Sequence, residues 1–244
     1  MMRLHRPSRS NSSQSDRAGP PRYASLRVRK NRGLAHLRLV WPRAVRLAAA
    51  IVVGVALGTA SRVGDTLAAP VEAIANAGGP WLVAAFAIGA FASRVVDAAA
   101  LGAATLSCAT ASYYGYIGVV LDDGAQEHLM SLALFWAVVA IGAGALFGTL
   151  GWAWRSASLR VRAAAVGFLT GALVGESVTL AARSAYGSWT WLASAAELAT
   201  GLAAPWVLLR SKQLFAAATG LGVLAPTGMM VTATLEELAR WAAR

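Results

Sequence analysis

Leu129-Met-Ser-Leu-Ala-Leu-Phe-Trp136-Ala-Val-Val-Ala-Ile-Gly-Ala-Gly144-Ala-Leu-Phe-Gly148-Thr-Leu-Gly151 runs for 23 residues without a charged side chain. As a helix it rises about 34 Å at 1.5 Å per residue, enough for a hydrocarbon core of about 30 Å. Similar stretches occupy 44–63, 78–93, 98–121, 163–182, 189–209 and 213–235. The expected fold is therefore all-α, a polytopic transmembrane helical bundle of about seven helices, or six if 213–235 does not cross. Composition agrees, with 57% hydrophobic and only 14% charged residues, against about 25% charged in soluble domains. The 244 residues leave no room for a folded soluble domain beyond the spans.

The flanks differ from the bundle. Residues 1–42 hold a Ser/Arg-rich stretch, Gly19-Pro20-Pro21 and a basic run through Arg27, Arg29, Lys30 and Arg32. That composition predicts a disordered tail. Of 22 basic residues, twelve lie between Arg3 and Arg46 against one acid, Asp16. Tethered to a membrane helix, the tail is expected to lie on anionic lipid, gaining about 1 kcal/mol per basic residue near the surface. No specific nucleic-acid partner and no cleaved secretory signal are expected. A short C-terminal tail occupies 237–244.

Basic residues collect on the cytoplasmic side of membrane proteins. With the N-terminus inside, the tail plus Arg94, Arg155, Arg160, Arg162, Arg210 and Lys212 put eighteen basic residues inside, and Arg62, Arg183, Arg240 and Arg244 outside. A shift of one helix destroys this asymmetry, so the N-terminus is predicted to be cytoplasmic. Trp41, Trp152, Trp154 and Trp206 then mark inner boundaries, and Trp81, Trp189 and Trp191 outer ones. Segment 64–77 is too polar to cross, yet Leu67, Val71 and Ile74 recur at helical spacing. It reads as an interfacial helix or as a cap over an outward-facing cavity.

Small residues let helices approach in lipid. Gly54/Gly58, Gly144/Gly148 and Gly167/Gly171/Gly175 show the four-residue spacing, and each set is predicted to pack a neighbouring helix, within the chain or in a homo-oligomer or partner subunit. The single cysteine, Cys108, reads as a small core hydrophobe.

Ionisable residues inside the bilayer are the places to look for function, since each costs about 2.5–3.5 kcal/mol near a helix centre. Glu176 and Glu197 fall at similar depth on consecutive spans joined by a short connection. If they face one another they are expected to share a proton or hold a cation, because two close carboxylates cannot both stay ionised in low dielectric. Alternatively, each hydrogen-bonds Ser177, Thr179, Ser194 or Thr200 and fixes helix pairing. Tyr113 and Tyr114 line a cavity or belong to an aromatic belt. The chain lacks His-Glu-x-x-His, Gly-x-Ser-x-Gly, a Walker loop and any Cys/His cluster, so no enzyme, metal or cofactor is expected.

The run from Asn76-Ala-Gly-Gly-Pro-Trp81 to Gly89, then Tyr113-Tyr114, Trp136 with Gly144-Ala-Leu-Phe-Gly148, and Gly171-Ala-Leu-Val-Gly175-Glu176, resembles a family of small bacterial multi-pass membrane proteins of unknown function, over roughly 45–230. The resemblance implies a bacterial cytoplasmic membrane and favours Glu176 and Trp81 as site residues. It implies no activity. Two functions follow as expectations: a small permease or substrate-capture subunit using the carboxylates, or a non-transporting scaffold or partner subunit.

Overall fold

The structure, a computed structural model, describes residues 41–67, 71–75, 77–120, 126–182 and 190–209. The basic tail, the 213–235 span and the 237–244 tail lie outside the described residues. Seven helices are described: α1 (Arg43–Asp65), α2 (Val71–Ala75), α3 (Gly79–Gly89), α4 (Val95–Val120), α5 (Gln126–Ser156), α6 (Leu159–Ala182) and α7 (Thr190–Leu208). The described architecture is all-α.

Four of these are long and apolar enough to cross a membrane: α1, α4 over Val95–Gly118, α5 over Leu129–Ser156, and α6. Their packing is inverted relative to a water-soluble bundle. The buried stripe of α1 is Arg46, Ala50, Gly54, Gly58, Ser61 and Gly64, whereas Val45, Leu47, Ile51, Val52 and Val55 point outward. On α5, Leu134 and Val138 are 62% and 72% exposed. Water would drive those side chains inward. In lipid the tails are as apolar as leucine, so small residues gain the interfaces and branched ones face out. The arrangement is compatible with an integral membrane protein.

Helix direction alternates. Gly54 and Gly58 abut the backbone carbonyls of Thr105 and Ala109, so α1 and α4 run parallel. Gly144 lies against Gly102, and Gly148 against Ala98, so α5 runs back down α4. Trp154 Nε1 donates to Leu208 O (2.9 Å), which sets the end of α7 beside the end of α5. At that same end, the buried Arg46 donates through Nη1 to Ser93 Oγ (3.3 Å), and Arg155 Nη1 to Ala90 O (3.2 Å). Among the described residues this end carries Arg43, Arg46, Arg94, Arg155, Arg160 and Arg162, and the opposite end carries only Arg62.

One region differs from the sequence reading. Stretch 78–93 does not form one crossing helix: α3 has 11 residues, about 16 Å, and the chain leaves helical geometry by Ala92 and Ser93. Gly78-Gly79-Pro80 explains the start, because glycine weakens a helix and proline is tolerated at its first turn only. Segment 64–77, read as an interfacial helix or a cap, carries the short helix α2, and Ala73 and Ala77 are buried in a cluster with Leu180 of α6 and Ala193 of α7. The other spans begin or end within about five residues of their predicted limits. Between α2 and α3, residues 77 and 78 are not helical.

Candidate functional site

The start of α3 falls where Glu176 and Glu197 lie. Glu176 is six residues from the end of α6 and Glu197 seven from the start of α7, so both carboxylates lie about 9–10 Å in from those helix ends. The tight α6–α7 seam keeps them level: Gly201 lies close to Leu173, Val174 and Thr170, and Ser194 Oγ donates to Ser177 O (2.7 Å).

The first residues of α3 point at this pair. The backbone N–H of Gly78 donates to Glu176 Oε1. Glu197 is only 6% exposed, and its carboxylate lies against Gly79 so closely that a Cβ there would overlap it. Glycine at 79 is therefore what lets the carboxylate reach the backbone. A helix N-terminus carries about half a positive charge on its unpaired N–H groups, and here it is turned toward two acids instead of water. Glu197 Oε2 is buried and lacks a hydrogen-bond partner among the described residues. Glu176 is half-buried.

Three of the neighbouring hydroxyls donate within their own helices. Ser177 Oγ donates to Val174 O (2.9 Å), Thr179 Oγ1 to Gly175 O (3.1 Å), and Thr200 Oγ1 to Ala196 O (2.8 Å). Each returns to its own helix. Both carboxylates meet the start of α3, and the Ser194 bond and Gly201 link α6 to α7.

A second polar cluster adjoins the first through Trp81. Its indole Nε1 donates to Ser61 Oγ on α1 (3.2 Å), and its ring meets Tyr113 of α4 edge-on at 6.4 Å. Tyr113 donates its hydroxyl to Asp65 Oδ2 and packs edge-on against Tyr114 at 5.1 Å. Arg62 Nη1 pairs with the same Asp65 oxygen at 3.6 Å, with Asp65 only 7% exposed, and its guanidinium lies 5.9 Å from the Tyr113 ring centre. A charge pair this deep stays favourable only with supporting hydrogen bonds. Replacing Tyr113 with phenylalanine is therefore expected to cost about 1–3 kcal/mol by leaving a buried carboxylate oxygen short of a donor. Thermal unfolding in detergent checks this; an unchanged midpoint would mean the hydroxyl does not hold Asp65.

Residues 78–81 thus touch four helices: Gly78 reaches α6, Gly79 reaches α7, and Trp81 reaches α1 and α4. Of the residues singled out from sequence, Glu176 and Glu197 come together, and Trp81, Tyr113 and Tyr114 form the adjoining cluster. Gly167, Gly171 and Gly175 are buried along α6, while the close approach of α7 uses Thr170, Leu173 and Val174 instead. Sequence reasoning missed Gly78, Gly79, Ser61, Arg62 and Asp65. The Gly-Gly-Pro break was the signal available for the first two.

These features define a class: an all-helical, membrane-compatible protein in which the N-terminus of a short helix abuts two carboxylates on neighbouring helices. The chain belongs to a family of unknown function, DUF6518, whose model matches residues 39–240. No curated protein and no solved structure matches it.

Proposed function

We propose that this chain is a multi-pass protein of the bacterial cytoplasmic membrane that acts as a small permease or substrate-capture subunit. In this reading Glu176 and Glu197 form a proton- or cation-linked site. The observation that carries it is the end of an interrupted helix aimed, inside the bundle, at two carboxylates on neighbouring helices. Interrupted helices at ion sites are a recurring device of transporters, because a free helix end supplies polar backbone where side chains are scarce. The arginine distribution supports a cytoplasmic N-terminus, with the site opening toward the outer face and the tail on anionic lipid.

The test is proton and cation flux into proteoliposomes, comparing the unaltered chain with Glu176→Gln plus Glu197→Gln once both are shown equally folded. Protease access to the basic tail tells the two vesicle orientations apart. Flux should vanish in the double variant. Equal flux in both would end the role assigned to the carboxylates.

A second reading, a non-transporting scaffold or partner subunit, is favoured by the glycine contacts. Gly54, Gly58, Gly144 and Gly148 all meet backbone of a neighbouring helix, a rigid construction that suits a platform. Under it, the double variant is folded, vesicles show no flux with either chain, and a membrane partner co-purifies with both.

A further inference from the structure

We propose that the arginine-rich end of the bundle binds the phosphate of one anionic phospholipid, held where Arg46 and Arg155 meet just past the end of α3. This site lies apart from the carboxylates and is independent of which functional reading of them stands.

Arginines at this end outnumber acids. Among the described residues six arginines occupy it, and Asp97 is the acid set against them. Asp97 is already engaged, since it accepts from Ser93 Oγ (3.2 Å) and lies 3.9 Å from the exposed Arg43. Arg46 and Arg155 make no ion pair among the described residues. Arg46 sits on the buried stripe of α1, 7% exposed, and donates through Nη1 to Ser93 Oγ (3.3 Å) and Phe91 O (3.5 Å). Its Nε is buried without a partner there. Arg155, in the last turn of α5, donates through Nη1 to Ala90 O (3.2 Å). Two full positive charges therefore converge on consecutive carbonyls, and a helix C-terminus supplies only about half a negative charge. A buried charge is costly without a counter-charge.

Donor geometry and depth indicate which anion supplies it. Each guanidinium carries five N–H donors in a planar fork, and the protein acceptors engage Nη1 alone. Phosphate oxygens accept from such a fork in pairs, and Nη2 of each arginine is left for them. Arg46 is three residues into α1 and Arg155 one residue from the end of α5. Both thus stand within about 5 Å of the ends of membrane-length helices, where lipid headgroups lie. An aromatic surface lies beside them. Phe91, 51% exposed, stacks on Trp41 with ring centres 5.7 Å apart, and the Arg155 guanidinium lies 5.6 Å from the Phe91 centre. A phosphodiester bearing glycerol and acyl chains matches cations set beside exposed rings, whereas free phosphate leaves the rings without a partner. Basic pockets between membrane helices hold anionic headgroups by the same means.

The test is native mass spectrometry and thermal unfolding of the full chain in neutral detergent, with added phosphatidylglycerol, phosphatidylcholine or inorganic phosphate. One phosphatidylglycerol per chain should be retained at micromolar lipid and raise the unfolding midpoint. Phosphatidylcholine, whose choline cancels the phosphate charge, and millimolar inorganic phosphate should do neither. Arg46→Gln and Arg155→Gln should each weaken retention about tenfold or more, the loss expected for one hydrogen bond to a charged group. Arg160→Gln removes the same charge from the same end without a bond to the α3 end, and should leave retention unchanged. Arg155 is exposed, so its replacement is expected to leave the fold intact even if the Arg46 variant does not fold, and the comparison of lipids uses the unaltered chain. Equal retention of the two lipids, or equal loss in Arg160→Gln and Arg155→Gln, overturns the site. A midpoint raised as much by inorganic phosphate overturns the lipid as its occupant, and so does an acidic protein segment retained there in place of lipid.

Discussion

Replacing Gly148 with valine should prevent stable folding, while the same change at Gly142, six residues earlier on the same helix, should be nearly silent. A Cβ at 148 meets the backbone of α4, overlapping the Ala98 carbonyl and lying 3.1 Å from Gly102 Cα, and Gly148 itself packs against Gly89 of the α3 end. At 142 there is nothing within 4 Å. Overpacking a core costs about 1–3 kcal/mol when side chains can move aside. Here the obstructing atoms are backbone of α4, so the cost exceeds that range and consumes much of a stability of about 5–15 kcal/mol. Thermal unfolding in detergent and yield from membranes would read it. A Gly148→Val protein as stable as Gly142→Val would show that α4 and α5 do not meet as described.

Gly79→Ala should separate the site from the fold. The atoms nearest the new methyl are those of the Glu197 carboxylate, the far end of a flexible side chain, so the carboxylate swings away and the bundle survives. What is lost is its approach to the α3 N-terminus. A hydrogen bond to a charged group contributes about 1.5–3 kcal/mol, which is about ten- to a hundredfold in an equilibrium constant. Flux at limiting proton concentration should fall by that factor, with the unfolding midpoint nearly unchanged. Unaltered flux would mean the α3 end does not act on Glu197; a large drop in stability would assign Gly79 to packing alone.

The two variants separate what the glycines do. At 148 a glycine lets backbone meet backbone, and any side chain disturbs two helices at once. At 79 a glycine lets an acid meet a helix end, and a side chain disturbs mainly the acid. The same distinction divides the two functional readings, since a scaffold depends on the first kind of contact and a permease on the second.

Much of the fold was legible because lipid imposes a length and an apolar composition on each crossing. Arg43–Asp65, Gln126–Ser156, Leu159–Ala182 and Thr190–Leu208 follow apolar runs whose ends are set by Pro42, by charged residues and by polar connections. Residues 78–93 are just as apolar, and composition there does not reveal how deep the chain has descended before a helix begins. The Gly-Gly-Pro break was visible in sequence, but its position against Glu176 and Glu197 depends on how α2 docks between Leu180 and Ala193. Helix rotation was equally hidden. Residues four apart drift by about 40° per step, so Gly167, Gly171 and Gly175 mark a small-residue face without naming what lies on it. The Tyr113 bond to Asp65 spans 48 positions and has no local signature.

By itself, then, the sequence determined an all-helical chain suited to a bilayer, the rough limits of the long helices among the described residues, the asymmetry of its arginines, and two acids at matching depth. Those follow from solvent and spacing, which act on each segment alone. Tertiary structure decided that the second descent is interrupted, that its free end meets Glu176 and Glu197, and that Trp81 ties it to Ser61 and Tyr113. Those depend on rotation and insertion depth of helices against one another, quantities fixed only when the whole bundle packs.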